Sequence, residues 1–319
     1  MTAPVWVGVD VGGTKVLAGV VSEDGTVVRT ARGATPGRRV DAALIEEVLT
    51  ETVHAVADGA PIAGVGLAAA GFVEATGERV MFAPHLPWQD EPVRARLADR
   101  WQVPVVLEND ATCAAIAEWE HGAARGAGSA VVVTLGTGIG GGLIVDGHVV
   151  RGANGMAGEF GHMQVVPDGL PCECGGRGCW EQYSSGNALV RYARERMGHE
   201  PTMLEEASGG RPEQLTGPMV TDAAAAGDLL ARAAFTSVGD WLGVGVANLV
   251  AALDPERVVV GGGVSAAGER LLGPARVSLE RSLVGAAHRV VPSLVAARLG
   301  PEAGLVGAAA LARSTQLRR

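Results

Sequence analysis

Four residues with metal-ligand chemistry fall close together: His162, Cys172, Cys174 and Cys179, in the spacing H-x9-C-x-C-x4-C. Three thiolates and one imidazole complete a tetrahedral zinc shell with no position left for water, which is the structural type rather than the catalytic one. Gly175, Gly176 and Gly178 permit the tight wrap around the last two ligands. The plainer alternative is free thiols in a loop. Three cysteines within eight residues do not suggest a disulfide framework. Cys113, the fourth, falls in a predicted helix and reads as a small core residue.

Two glycine-rich turns offer a second chemistry. Asp10-Val11-Gly12-Gly13-Thr14-Lys15 separates two runs of β-branched residues. Successive N–H groups in such a turn can form an anion-binding nest, Asp10 could hold a magnesium ion, and Lys15 could meet a phosphate as a point charge. A tight hairpin with an incidental Asp and Lys is the alternative. The spacing from Gly8 to Lys15 nearly matches a Walker loop, but Thr14 and Lys15 stand in the reverse order and a strand follows. Gly136-Thr137-Gly138-Ile139-Gly140-Gly141 formally fits a dinucleotide fingerprint, yet Leu143-Ile144-Val145 and an Asp-Gly turn follow where that fold needs a helix. A second phosphate-binding hairpin fits better, with a plain turn as the alternative.

Glu108-Asn109-Asp110 ends a predicted strand and enters a predicted helix. Carboxylates at such junctions face the ligand crevice of α/β proteins, whereas an Asn or Asp there can also be only an N-cap. As a base, Asp110 feels two opposed effects: the helix N-terminus stabilises its anion, and burial raises its pKa. Phosphoryl transfer tolerates a weak base, because positioning dominates its loose transition state.

These groups need a frame of alternating strands and helices. Strands are expected at 5–11, 16–22, 26–31, 62–68 and 103–107, with helices at 41–57 and 110–120. A second series starts with strands at 130–135 and 142–145 around the second glycine turn. A loop at 201–218, a long helix at 228–253, a strand at 257–260, the turn Gly261-Gly262-Gly263 and a last helix at 304–314 follow. At an offset of 124, Val7, Val9, Gly12 and Val21 meet identical residues, which suggests a duplicated βββαβα unit in an α/β fold.

Composition removes several classes. Among 319 residues the net charge is −9 with no basic run, so nucleic acid is not an expected partner. The 20-residue uncharged stretch 126–145 holds seven glycines and reads as a buried hairpin, not a membrane span. No signal peptide precedes the strand at Val5, and a cytoplasmic location is expected. Glycine numbers 47, and Lys15 is the single lysine among 26 basic residues.

Taken in order, Asp10-Val-Gly-Gly-Thr-Lys15, Glu108-Asn-Asp110, Leu135-Gly-Thr-Gly-Ile-Gly-Gly-Gly142, Gly158-Glu-Phe-Gly-His162, Cys172-Glu-Cys-Gly-Gly-Arg-Gly-Cys-Trp-Glu181 and Gly261-Gly-Gly263 resemble the ROK family of sugar kinases and repressors, within the hexokinase and actin-like ATPase superfamily. The resemblance covers nearly the whole chain and is strongest toward the family's bacterial glucokinases. It implies two actin-like (ribonuclease H-like) domains around an interdomain cleft: 1–122 joined by the C-terminal helix 301–319, and 123–300 carrying a zinc loop at 162–181. It further implies ATP-dependent phosphorylation of glucose at the 6-hydroxyl, with Asp110 as general base and domain closure excluding water.

By the same resemblance Asn109, Glu159, His162 and Glu181 bind sugar hydroxyls, with Gly71 at the sugar side. His162 would give one ring nitrogen to zinc and the other to sugar. Asp10, Gly12, Gly13, Thr14, Lys15, Gly136, Thr137 and Gly138 would contact magnesium and the ATP phosphates, and Gly261, Gly262 and Gly263 would lie by the adenosine. A homodimer or homotetramer is implied. Two departures, Ala70-Gly71 for the usual Pro-Gly and His85-Leu86 for the usual Asn-Leu, fall on the sugar side. They keep another hexose or N-acetylhexosamine open as the acceptor, among them mannose, fructose, N-acetylmannosamine and N-acetylglucosamine. The family's repressors carry a helix-turn-helix before the first glycine motif; nine residues precede Asp10 here, so a repressor is not expected.

Overall fold

The computed structural model describes residues 3–317. Strands β1 (Val5–Val11) and β2 (Lys15–Val21) flank the first glycine turn, and β3 (Val27–Ala34) extends the meander. Helix α1 (Ala42–Ala57) starts where the Asp41 side chain accepts from Ala43 N at 2.8 Å. Strand β4 (Ile62–Ala69) then pairs parallel to β1. A small antiparallel sheet of β5 (Phe72–Val73), β6 (Val80–Phe82) and β7 (Gln89–Glu91) precedes helix α2 (Val93–Trp101). Strand β8 (Val105–Asn109) runs parallel to β4 and passes without a loop into helix α3 (Asp110–Glu120).

The second series repeats the plan. Strands β9 (Ala130–Leu135), β10 (Ile139–Val145) and β11 (His148–Val149) lead, through a long loop with short 3-10 turns, to four helices. These are α4 (Gly186–Arg196), α5 (Met203–Ala207), α6 (Gly217–Ala226) and α7 (Leu229–Leu253). Strand β12 (Arg257–Gly261), helix α8 (Glu269–Ser282), strand β13 (Ser293–Ala296) and helix α9 (Ala303–Leu317) complete the chain. One sheet has the order β3-β2-β1-β4-β8 and the other β11-β10-β9-β12-β13, the same order position by position. The βββαβα unit is therefore duplicated.

The chain divides into two compact units. One holds the residues up to Val132, Gly142–Gly158 and the chain from Arg298 onward; the other holds Val133–Gly141 and Glu159–Ala297. In the first, Val7, Val9 and Val11 pack one face of β1 against Ile45, Leu49 and Val53 of α1. The opposite face is made of glycine: Gly8 pairs in register with Gly19 on β2 and Gly66 on β4. A Cβ on Gly8 would strike the Leu305 carbonyl, and one on Gly66 the Ala308 carbonyl. The glycine row lets α9 lie on the sheet at backbone distance, and Gly307 repeats the device against Cys113 of α3. The buried Glu118 carboxylate at the end of α3 accepts from the backbone N–H of Arg298 (2.9 Å) and Leu299 (2.8 Å), which ties down the approach to α9.

In the second unit, Gly239 and Gly243 of α7 meet backbone of α8, and Gly245 makes room for Trp180. Among the described residues, α7 alone is long and apolar enough to cross a membrane, and here it is a core helix with Phe235, Val238, Leu242 and Val246 fully buried.

The expected loop at 201–218 is instead partly helical. Thr202 opens α5 and bonds Asp228 Oδ2 at 2.8 Å, while Pro218 lies in the first turn of α6, where its missing N–H costs nothing. Helices α2, α4 and α8 and strand β13 were not expected; α8 carries Pro274 inside it, which reads as a breaker.

Candidate active site

The first glycine turn is closed by Gly12 N donating to Lys15 O at 3.0 Å. The end of the β3 ribbon fastens it from the side, through Thr35 Oγ1 to Gly12 O at 2.7 Å and Thr35 N to Thr14 O at 3.3 Å. Gly13 lies against His85, whose Cβ stands 2.6 Å from where a glycine-replacing Cβ would be. Asp10 stands one residue before the end of β1, paired in register with Leu17 and Ala68. Gly304, at the start of α9, leaves space beside its carboxylate.

Asp110 belongs to the same unit. Asn109 does cap α3, its Oδ1 accepting from Thr112 N at 3.0 Å, and its Nδ2 reaches Gly71 O at 3.0 Å and Asp110 Oδ1 at 3.2 Å. Asp110 Oδ1 also accepts from Ala111 N at 2.9 Å. Asn109 is thus the N-cap, and Gly71, Asn109 and Asp110 form one bonded set.

Electrostatics mark both carboxylates. Burial, then the neighbouring Asp110 charge, pushes Asp10 up to about 6 against a smaller lowering by Lys15. Burial likewise raises Asp110, against lowering by hydrogen bonds from Ala111 and Asn109. Two crowded carboxylates with a raised pKa are a functional-site signature, and the oxygen donor set of Asp10 suits a hard cation.

The remaining candidates lie in the second unit. Gly136 N donates to Gly138 O at 3.0 Å, and the start of α4 braces the turn through Gly186 N to Gly136 O at 2.8 Å. Beside it is a cavity of about 530 Å³ lined by Gly136, Thr137, Gly263, Val264 and residues of α4 and α6, among them Asn187, Thr221 and Asp222. Gly138, Gly261 and Gly262 are not among its lining residues. Asn187, Thr221 and Asp222 escaped the sequence reading because α4 and α6 did; Ser185 as a cap and Pro218 in a first helical turn were the available signals.

The ligand atoms of His162, Cys172, Cys174 and Cys179 all lie within 4.8 Å of one another. Cys174 Sγ and Cys179 Sγ are 3.7 Å apart, as are Cys172 Sγ and His162 Nδ1. Thiolates about 2.3 Å from a shared ion at tetrahedral angles stand about 3.8 Å apart, whereas a disulfide brings sulfurs to about 2 Å. The cluster has the dimensions of a metal site. Backbone bonds from Cys172 N to Gly176 O (2.9 Å) and Gly178 N to Leu170 O (2.8 Å) build the wrap, with Gly178 at φ 72° against Val166. The same loop gathers the expected sugar ligands. Glu181 Oε1 lies 3.7 Å from His162 Nδ1, and Glu159 Oε2 lies 3.8 Å from His162 Nε2. Nδ1 is thus on the cysteine side and Nε2 is turned to Glu159.

The ROK family model matches residues 6–315. The glucokinase of Streptomyces coelicolor is 43% identical over 96% of this chain and 97% of its own length, and that of Thermotoga maritima 36% identical over 96% of each. A crystal structure of a ROK family glucokinase from Streptomyces griseus in complex with glucose and AMPPNP has a TM-score of 0.89 at 43% identity, covering 97% of this chain and 99% of that one.

Proposed function

The chain belongs to the ROK family, and on that premise we propose that it is a glucokinase, transferring the terminal phosphoryl group of ATP to the 6-hydroxyl of glucose. The observation that carries this reading is Asp110, a carboxylate of raised pKa in one bonded set with Asn109 and Gly71 at a strand-to-helix junction. Near-full-length identity of 43% to glucokinases supports the substrate pair.

In the proposed reaction the glucose 6-hydroxyl donates to Asp110 Oδ2, since the bonds from Ala111 N and Asn109 Nδ2 both fall on Oδ1. As the new P–O bond forms, the hydroxyl proton passes to that carboxylate and ADP leaves. The raised pKa of Asp110 makes it a better proton acceptor at neutral pH than an ordinary aspartate. Asn109, Glu159, His162 and Glu181 orient the sugar through its other hydroxyls, with Gly71 held against Asn109. Gly13, Thr14 and Lys15, with Thr137 and Gly138, offer N–H groups and one ammonium to the phosphates, while Gly12 and Gly136 close the turns with their own N–H groups. The cavity beside Gly136 and Gly263 suits the nucleoside in size.

Asp10 is the proposed magnesium ligand, and the ion when bound neutralises phosphate charge. The Cys3His set is proposed to hold a structural zinc ion through Cys172, Cys174, Cys179 and His162 Nδ1, leaving Nε2 for the sugar. A metal-fixed imidazole has one tautomer and one orientation, so the ion shapes the sugar site without entering the chemistry. We take the functional halves to be 1–122 with 301–319, and 123–300. A cytoplasmic homodimer or homotetramer completes the proposal.

The test is a kinase assay on a panel of hexoses and N-acetylhexosamines, with ATP, other nucleotides and polyphosphate as donors. Glucose with ATP is expected to give the highest kcat/KM, with phosphate on oxygen 6. A higher kcat/KM for N-acetylmannosamine or mannose, or for polyphosphate as donor, overturns the assignment.

A further inference from the structure

Glu108 is a buried carboxylate, 5% exposed, immediately before Asn109 and Asp110. Its two oxygens have different partners. Oε2 meets Arg151 Nε at 2.5 Å, and Oε1 accepts from the backbone N of Asn109 at 3.0 Å. The bond from Asn109 N sits where β8 gives way to α3, the peptide that sets the directions of both the Asn109 and the Asp110 side chains.

Arg151 comes from elsewhere in the sequence. It follows β11 and opens the loop 151–158, which closes on it through Ala157 N to Arg151 O at 3.0 Å. The loop turns at Gly152, Gly155 and Gly158, all at positive φ. Gly155 packs on the carbonyl of Val73 in β5, so the loop is seated on the first unit, and the next residue after Gly158 is Glu159.

This ion pair, with Glu108 buried and Arg151 half-buried, is a poor source of stability, because desolvation of Glu108 and solvent screening at Arg151 offset the attraction. Its use is geometric: the Arg151 Nε contact anchors one carboxylate oxygen while Asn109 N holds the other, so the Glu108 carboxylate is pinned between two partners. The buried Cys113 thiol, in the first turn of α3, is raised by burial and then by Glu108, Asp110 and Asp10, and lowered by Arg151, so the Glu108–Arg151 pair acts on the start of α3.

We propose that Arg151 is a positioning residue for the phosphoryl transfer: by holding Glu108 it fixes the β8–α3 junction and hence the aim of Asn109 and Asp110 at the sugar, from the base of the loop that leads to Glu159. This rests on the reading of Asp110 as base and Asn109 as sugar ligand. Neither Arg151 nor Glu108 touches the substrates in this scheme.

Steady-state kinetics of the full chain test it, with Arg151→Met, Arg151→Lys, the double variant Arg151→Met/Glu108→Gln, and Asp110→Asn measured together and rates taken per folded molecule. A misaimed junction should raise the KM for glucose and lower kcat, each by about tenfold, because small displacements of a reacting group are costly. The KM for ATP should stay within about twofold, since Arg151 does not reach the phosphate turns. Arg151→Lys should recover much of the loss. The double variant leaves no unpaired buried charge, so it keeps the fold if Arg151→Met alone does not, and it should still show the glucose-KM and kcat defect. Wild-type constants for Arg151→Met, or full recovery in the double variant, overturn the proposal. Activity in Asp110→Asn would overturn the base assignment instead, and the glucose KM would still report on Arg151 through Asn109.

Discussion

Asp110 is held by the bonds a helix start ordinarily makes, and its chemistry comes from where that start is buried. The hydrogen bonds from Ala111 and Asn109 favour its anion, yet burial outweighs them and the pKa rises. Asp10 rises to about 6 for the same reason, with the Asp110 charge adding to it. Two consequences follow in pH. The proposed base works ionised, so kcat/KM for glucose should fall on the acid side through a pKa above the ordinary carboxylate range. In stability the sign is opposite. The folded state binds both protons more tightly than the unfolded chain, so without a bound cation stability falls as pH rises, for Asp10 between about 4 and about 6. For Asp10, the rise from 3.8 to about 6 corresponds to at most about 3 kcal/mol. Thermal unfolding across that window checks the slope, and Asp110→Asn should raise Tm at pH 7 while removing activity. A lower Tm for that variant contradicts the burial argument.

At the scale of elements, the loop from His162 to Glu181 joins the Cys3His cluster to the proposed sugar ligands, and Trp180 within it is fully buried and bonded to Trp241 O at 2.7 Å. Removing the ion with a strong chelator should therefore lower Tm by about 10 °C and raise the glucose KM, with both restored by zinc. An unchanged Tm in protein verified as metal-free removes the structural role. The clustering of these four side chains was legible in the sequence because a tetrahedral shell needs particular atoms at short spacing. Strands β1 and β9 and helix α3 were legible to the residue, since β-branched runs and an Asn cap mark them. Helices α4, α6 and α8 were not: α8 contains Pro274, α6 opens on Gly217-Pro218, and α4 has few buried apolar residues. Losing α4 and α6 cost the sequence reading Asn187, Thr221 and Asp222 of the cavity. The Arg151–Glu108 pair was illegible for another reason: a contact 43 residues apart leaves no local pattern.

Across the whole molecule, the high glycine content has a structural use beyond the ligand turns. Gly8, Gly66 and Gly307 let α9 approach the first sheet and α3 at backbone distance, and Gly239 and Gly243 do the same for α7 on α8. These glycines serve the packing of a duplicated βββαβα frame whose sheets repeat one strand order. Each copy carries one glycine hairpin, at Gly12-Gly13 and at Gly136–Gly138, so duplication of the fold supplied the two turns proposed to hold phosphate from one design. In the proposed reaction this frame positions Asp110 to take the proton of the sugar hydroxyl. The most direct measurement is glucose 6-phosphate formation by Asp110→Asn with saturating ATP, magnesium and glucose, beside glucose affinity by calorimetry. Turnover should fall by about 10²–10⁴-fold with glucose Kd changed less than about threefold; turnover above about 5% of wild type would contradict a general base at Asp110.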